Sequence, residues 1–355
     1  MLNSAIIAAF GLDAANFETK KFGSGHINNT FLLTGKHDDA KYVLQRINTN
    51  VFKEPWVIAT NQRMAADYLA AKDPEYLFIT PIPTTSDKEL FEFEGEYWRL
   101  IPFIANSITV DQADNTTQAY EAAKQFGKLA RLLDGIDMRP FKATIPNFHN
   151  LTLRYAAFQD AIPAAKEERR NAAEELIRSF LDYSDIAITF EKLKTHRDFK
   201  DRVMHHDTKI NNVLLDKDTF KGVCVCDLDT LMPGKIISDL GDMVRTYVCP
   251  VSEEERDFSL ITVRDEYFEA LMKGYLEEVG ATLSQIEKDH LFYAGKFMIY
   301  MQGIRFLTDY LNGDIYYPIK YAEHNYDRAK NQLTLLQALV AKEGKLQSII
   351  DKYLS

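Results

Sequence analysis

Cysteine is scarce in this chain, with three among 355 residues. Cys224 and Cys226 fall two apart, so a strand would point both to one face, and no second Cys or His pair follows at zinc-site spacing. Together with Cys249 they read as buried, reduced thiols. A G-x-x-x-x-G-K-[ST] run is missing, which removes the P-loop nucleotidases. H-E-x-x-H and G-x-S-x-G are also missing, which removes the simplest zinc-protease and serine-hydrolase readings. No apolar run approaches the roughly 18 residues that cross a bilayer. The opening M-L-N-S-A-I-I-A-A-F-G-L-D has no basic flank and is interrupted at Asp13, so it reads as a helix rather than a secretory signal. Positive charge is in deficit too, with 42 Lys and Arg against 52 Asp and Glu and a formal net charge of −10. That balance argues against a nucleic-acid partner. It leaves room for a nucleotide, whose divalent cation offsets much of its charge. The expectation is a cytoplasmic globular protein without a membrane partner.

What is present is enough for two packed lobes. At 355 residues and 46 % hydrophobic content the chain exceeds one domain of about 100–200 residues. Phe17 to Phe22, Thr30 to Thr34 and Tyr42 to Ile47 read as strands. Pro55 opens a helix with Val57, Met64, Ala65 and Tyr68 on its apolar face. Leu90 to Phe93 and Tyr97 to Phe103 read as a hairpin over Glu94-Gly95. From Ile104 the period becomes helical, as at Ala119, Ala123, Phe126, Ala130 and Leu133. The expected fold class is α+β, with a small antiparallel-sheet lobe over 1–104 and a larger, mainly helical lobe over 105–355. The boundary falls at 102–108, where N-S-I-T-V-D has the character of a helix cap. Residues 150–198 are helical and charged without functional content.

The informative stretch runs from Arg202 to Asp229, R-V-M-H-H-D-T-K-I-N-N-V-L-L-D-K-D-T-F-K-G-V-C-V-C-D-L-D. It reads as a strand, a polar loop, and two arms, Val213–Asp216 and Val223–Cys226, around a turn. A hairpin closing at 219/220 places Asn212 opposite Asp227, with Asp207 entering from the preceding loop. A carboxylate, an amide and a second carboxylate from one segment suit a magnesium ion, which prefers hard oxygens, and a base for a hydroxyl nucleophile. Upstream, F-G-S-G-H-I-N-N-T joins two strands through a Gly-Ser-Gly turn. Its backbone can approach phosphates, although taken by itself the motif is better explained by an ordinary hairpin turn.

His205-x-Asp207-x-x-x-x-Asn212, then Asp227 ending an apolar strand, then Asp239-Leu240-Gly241-Asp242, resembles the signature of the aminoglycoside phosphotransferase and choline kinase family. Within it the chain is most similar to the N-acetylhexosamine 1-kinases, through D-L-D-T-x-M-P-G from Asp227 to Gly234, G-D-x-x-R from Gly241 to Arg245, and R-F-L-T-D-Y-L-x-G-D-x-Y from Arg305 to Tyr316. The resemblance implies a protein-kinase-like bilobal fold and an ATP- and Mg2+-dependent kinase acting on a small-molecule acceptor. It implies Asp207 as catalytic base, Asn212 and Asp227 as magnesium ligands, His205 as an anchor of the loop, and Asp239 as a buried support. Gly23, Ser24, Gly25 and Asn28 would cover the phosphates, and the backbone near Phe103 would meet adenine. Asp229, Arg245 and Arg305 are candidates for touching the acceptor. Asp229 reads equally as a support for the metal ligands or a turn residue, Arg245 as an i, i+3 ion pair, and Arg305 as the i, i+4 partner of Asp309.

One position departs from the family pattern. The phosphate-binding lysine of the third strand falls at Gln45. Arg46 would serve only if a bulge turned it inward, since alternation points it to the opposite face; Lys21, Lys41 and Lys209 are the other cations nearby. No partner glutamate stands out in the helix over 55–71. The acceptor that the resemblance implies is the anomeric hydroxyl of an N-acetylhexosamine. Choline, ethanolamine, an aminoglycoside, homoserine or another sugar are the alternatives, and the missing lysine also admits a non-catalytic nucleotide-binding relative. A metal-dependent hydrolase would need a second metal cluster that the sequence does not supply.

Overall fold

The structure, a computed structural model, describes residues 2–23 and 27–354. α1 (Ser4–Ala8) precedes an antiparallel sheet of β1 (Phe17–Lys21), β2 (Asn29–Gly35), β3 (Lys41–Arg46), β4 (Phe91–Phe93) and β5 (Glu96–Pro102) in the order β1-β2-β3-β5-β4, with α2 (Pro55–Lys72) inserted after β3. The β4–β5 hairpin turns on Glu94 and Gly95, whose φ values of 52° and 77° are the paired positive angles of a tight hairpin loop. Leu33, Leu44, Trp98 and Leu100 on one face of the sheet pack against Ile6, Ile7 and Phe10 from α1 and the turn after it. The same alternation sends Thr30, Gln45 and Arg99 to the other face. These three are direct cross-strand partners, Thr30 with Gln45 and Gln45 with Arg99.

α2 buries more than the apolar face expected of it, where Val57 and Ala65 are buried and Met64 and Tyr68 pack against the core. Met64 and Tyr68 are only partly buried, while the polar Asn61 and Gln62 are 1 % and 3 % exposed. The reason is that α2 lies between the sheet and the helical region, so its polar side is covered as well. Asn61 Nδ2 donates to the carbonyls of Lys142 (2.7 Å) and Leu231 (2.9 Å). The segment expected to cap a helix also differs. Ser107–Ile108 forms β6, paired with Leu215 and Asp216, and α3 (Thr116–Leu133) starts later, capped by Asn115, whose Oδ1 accepts from Gln118 N–H at 3.0 Å.

The remainder is helical around a small set of strands. α4 (Leu151–Ala164), α5 (Glu167–Ala172), α6 (Glu174–Asp182) and α7 (Asp185–Lys194) lead to β7 (Arg202–Met204), β8 (Val213–Asp216), β9 (Gly222–Val225) and β10 (Met232–Gly234). β10 pairs antiparallel with β7, and β8 lies between β6 and β9. α8 (Ile236–Tyr247), α9 (Asp265–Val279), α10 (Gln285–Asp289), α11 (Leu291–Leu311), α12 (His324–Ala341) and α13 (Glu343–Leu354) complete the chain. One continuous core, with Phe126, Leu240, Tyr247, Leu271, Phe297 and Leu336 at its centre, unites these helices. Among the described residues no helix is long and apolar enough to cross a membrane. Cys224, Cys226 and Cys249 are free, and burial pushes all three thiols up in pKa, Cys224 to about 12.

α8 crosses α11 at close range. A Cβ on Gly241 would stand 2.3 Å from the Ala294 carbonyl oxygen and 2.8 Å from Met298 Cβ. The oxygen belongs to a helix backbone and has no rotamer by which to retreat. Gly241→Ala is expected to destabilise the protein by about 1–3 kcal/mol, as overpacked helix contacts do. A thermal or urea denaturation midpoint equal to that of the parent would contradict this packing.

Candidate functional site

The polar loop between β7 and β8 is organised by one carboxylate. Asp239, in the first turn of α8, is 2 % exposed. Its Oδ2 accepts from His205 N–H (3.0 Å) and its Oδ1 from His206 N–H (2.7 Å). Its own carbonyl accepts from Thr208 Oγ1 at 2.7 Å. Burial pushes the Asp239 carboxyl up to about 6, and the two backbone donors pull against that. Between the two bonds His206 takes a left-handed φ of 67°, a conformation that persists only where surrounding contacts fix it. His205 donates from Nε2 to the Cys226 carbonyl (3.0 Å) and accepts Asp207 N–H at Nδ1 (3.3 Å), with its ring edge-on to Phe126. The loop is thereby held from both sides.

Asp207 projects from this loop into the cleft facing the sheet. Its Oδ2 accepts from Asn212 Nδ2 at 3.0 Å, and its Oδ1 lies 3.1 Å from Lys209 Nζ. Burial works against the charged form, but Lys209, His205 and Asn212 outweigh it and hold the carboxyl below its ordinary pKa. Asn212 also donates to the Asp207 carbonyl (2.8 Å), so its Oδ1 is the atom left for a cation. Asp227 does not lie opposite Asn212 as the hairpin count predicts. The turn closes at 218/219 rather than 219/220, with Leu215 opposite Gly222, and a bulge between Leu214 and Leu215 then advances the register by one, so Val213 pairs with Val225 and Asn212 faces Cys226. Asp227 follows in a left-handed turn with φ 55° and ψ 58°. It still reaches the same cavity.

That cavity, of about 320 Å³, is lined by Asn28, Thr30 and Gln45 from the sheet side and by Asp207, Lys209, Asn212, Asp227 and Asp229 from the loop side. Burial and then the charges of Asp229 and Asp207 push the Asp227 carboxyl up to about 7, against the pull of Arg99 and Lys209. Carboxylate charge is therefore in excess here. Among the described residues no three His, Cys, Asp or Glu side chains cluster as a self-sufficient metal cage. A carboxylate and an amide oxygen beside open space fit a magnesium ion, which keeps water and substrate oxygens among its ligands.

The remaining expected site residues fall into several groups. Ser24 and Gly25 lie outside the described residues. Gly23 has a φ of 80°, and Phe22 beside it meets Phe103 edge-on at 6.1 Å, making an aromatic corner at the end of β5. Asn28 donates to Asp229 Oδ2 at 2.6 Å and accepts from Asn48 N–H at 3.0 Å. Arg46 does not turn into the cleft. β3 is regular, so Arg46 sits on the opposite face in an ion pair with Glu96. Lys21 is exposed, Lys41 stands over the Phe103 ring, and Lys209 is engaged by Asp207.

The cation nearest Gln45 is one that sequence reasoning passed over. Arg99 is 2 % exposed, donates from Nε and Nη2 to Gln45 Oε1 (2.9 and 2.7 Å), and pairs through Nη1 with Asp229. Asp229, also 2 % exposed, is thus no solvated turn residue. Gln62 of α2 reaches the same carboxylate at 3.4 Å.

On the far side of the loop, Arg245 is spent on Asp242 (3.0 Å) and Glu253 (2.7 Å), a buried ion pair rather than a free contact. Arg305 does not pair with Asp309. Asp309 instead accepts the backbone N–H groups of Ile315, Tyr316 and Tyr317 and the Asn325 amide. Arg305 lies over the rings of Phe148 (5.8 Å) and Tyr317 (5.6 Å) and donates to Gln302. It lines a cavity of about 170 Å³ with Arg154, Thr308 and Tyr317. Among the described residues Arg154 Nε and Thr308 Oγ1 are buried there without a hydrogen-bond partner.

The family model described as phosphotransferase enzyme family matches residues 18–279. Among solved structures the chain is similar to an aminoglycoside phosphotransferase from Alicyclobacillus acidocaldarius, at 12 % identity and a TM-score of 0.67 over 99 % of this chain and 97 % of that one. It is similar to a spectinomycin phosphotransferase solved with ADP and spectinomycin, at 13 % identity and 0.61 over 96 % of each chain. A choline kinase from Cryptosporidium parvum matches at 15 % identity and 0.55 over 97 % and 94 %. At such identities the likeness is one of fold, and the fold is protein-kinase-like.

Two measurements probe this geometry. Asp239→Ala strands two buried backbone donors at about 1–3 kcal/mol each. It should lower the unfolding free energy accordingly, and an unchanged urea midpoint would show the loop to be held otherwise. Because the Asp227 carboxyl is pushed up to about 7, protons and a divalent cation should compete for it. The acid limb of any activity that uses this carboxylate should lie near neutrality at low Mg2+ and move to lower pH as Mg2+ rises. A limb that ignores Mg2+ concentration would separate Asp227 from the metal.

Proposed function

Since the chain belongs to the phosphotransferase enzyme family, we propose that it is an ATP- and Mg2+-dependent kinase that phosphorylates a sugar hydroxyl, the anomeric hydroxyl of an N-acetylhexosamine. The observation that carries the reading is the convergence of Asp207, Asn212 and Asp227 on one cavity beneath Thr30 and Gln45. Residues 1–104 would hold the nucleotide, with Phe22 and Phe103 beside the base, and 105–355 the catalytic loop and acceptor. The ADP bound to the spectinomycin phosphotransferase agrees with that choice of nucleotide.

Asn212 Oδ1 and Asp227 would hold the magnesium ion, which when bound neutralises charge on the transferring phosphoryl group. Asp207 works on the acceptor. Held below its ordinary pKa, it is ionised at neutral pH and a weak base toward a free alcohol. Its task is to orient the attacking hydroxyl and accept the proton late, as the new O–P bond forms and the alcohol acidifies. Lys209 and Asn212 fix both oxygens of that carboxylate, which supplies the positioning this reaction class depends on.

An uncharged acceptor is supported by the pairing of charges near the loop. Asp242 and Glu253 share the Arg245 guanidinium, Glu254 is paired with Lys320 and Arg328, and Asp314 with Arg169. Among the described residues Arg154 and Arg305 have no carboxylate partner, and the aromatic faces that would receive a choline ammonium already carry Arg305. Two guanidinium groups without a carboxylate, one of them with its Nε buried and unpartnered, suit hydroxyl and acetamide oxygens rather than a polycation.

Acceptor-dependent ADP release across GlcNAc, GalNAc, choline and an aminoglycoside tests the reading. The hexosamines should support turnover, and strong activity with choline together with none on the hexosamines would sink the sugar assignment. Asp207→Ala should lower turnover by about 10²- to 10⁴-fold with the fold retained. Normal turnover in that variant would unseat Asp207.

A further inference from the structure

We propose that Arg99 is the positioning residue of the nucleotide's phosphate site. It acts from behind Gln45, orienting the Gln45 amide toward the cleft, and through Asp229 it ties the sheet to the catalytic segment. The inference rests on the phosphotransferase reading. The cation is displaced by one strand from where the family places it. Gln45 on β3 and Arg99 on β5 are directly opposed in the register, so the guanidinium reaches the space behind the amide without entering the cavity that Gln45 lines.

The hydrogen bonding fixes the amide's sense. Both Nε and Nη2 of Arg99 donate to Gln45 Oε1, which turns Nε2 the other way, where it donates to Thr30 Oγ1 at 3.1 Å. An amide nitrogen carries two protons, so the second remains for an oxygen in the cleft. Sharing its oxygen with a guanidinium polarises the amide and makes that proton a stronger donor. The third arm, Nη1, holds Asp229. Asp229 in turn receives Asn28 from the segment after the glycine turn and Gln62 from α2. Three separate parts of the sheet region therefore converge on one carboxylate two residues beyond Asp227. A lysine at position 99 cannot reproduce this, because only a planar fork serves Gln45 and Asp229 together.

The experiment uses the full chain with Mg·ATP. Wild-type ADP binding is measured first by calorimetry, then KM for ATP and for the acceptor separately, with a thermal melt for each variant. Gln45→Leu keeps the Arg99–Asp229 pair and removes the amide. Arg99→Lys keeps the charge and removes the fork. Each should raise KM for ATP by about 10- to 100-fold, the effect of losing one hydrogen bond to a charged oxygen, while KM for the acceptor stays within about twofold. Because both act through one amide, the double variant should be no worse than the poorer single, not their product. Gln45→Lys with Arg99→Met returns a cation to the third strand and should recover KM for ATP relative to Arg99→Met.

If Gln45→Leu and Arg99→Lys leave KM for ATP unchanged, or if Arg99→Lys raises both KM values alike with a lowered melting temperature, Arg99 has no positioning role. Wild-type protein that neither binds ADP nor releases it with any acceptor overturns the phosphotransferase reading as well. The wild-type arm thus separates the two failures.

Discussion

Asp239 sits where a buried carboxylate costs free energy unless its oxygens are satisfied, and it is satisfied by the two backbone N–H groups that define the loop before Asp207. The dependence runs both ways. α8 is buried on nearly all sides, from Ile236 to Arg245, so Asp239 cannot move without the helical core. The loop inherits that rigidity, including the left-handed turn at His206. Asp207, Asn212 and Lys209 are then placed by a rigid helix start rather than by a mobile loop, which is what a reaction driven by positioning requires.

Electrostatics set the second constraint. Asp207, Asp227 and Asp229 crowd one cavity wall, and the fold supplies Lys209 to the first and Arg99 to the third. Asp227 is raised in pKa by burial first and then by the charges of Asp229 and Asp207, which Arg99 and Lys209 only partly offset. In a low-dielectric cleft such a deficit favours binding of a divalent ion over leaving the charge uncompensated. The cavity beside Arg305 differs: among the described residues its two arginines, Arg154 and Arg305, have no carboxylate partner, and its one acid, Asp309, is bonded to backbone N–H groups.

Local patterns made much of this legible in the sequence. The strands of the sheet, the hairpin over Glu94-Gly95 and the helix through Phe126 follow from alternation, turn chemistry and helical period, and the structure has them within a residue or two. Asp207, Asn212 and Asp227 were visible because their spacing within one segment is short. What escaped depended on long-range pairing. The hairpin closes at 218/219 rather than 219/220, and the bulge at Leu214/Leu215 recovers only part of that offset, neither of which counting along the sequence could sense. Arg99 was hidden because its meaning arises only when β5 is laid against β3, more than 50 residues away in sequence. Arg305 and Asp309 looked like an ion pair at i, i+4, yet Asp309 found stronger partners in three backbone N–H groups of the following turn. The signal that could have found Arg99 was present: a charged residue in the middle of an otherwise apolar strand, flanked by Trp98 and Leu100.

The row Thr30, Gln45 and Arg99 shares its strands with the row Leu33, Leu44, Trp98 and Leu100, and the two occupy opposite faces. A slip of β3 by one residue during folding would carry Gln45 under Phe10 and Leu44 to the polar face, with Arg99 left facing no acceptor. Misregistered sheets are therefore penalised on both faces at once. The residues that shape the cleft also act as a proofreading device for the sheet: molecules whose strands have settled out of register are the ones least able to stay folded.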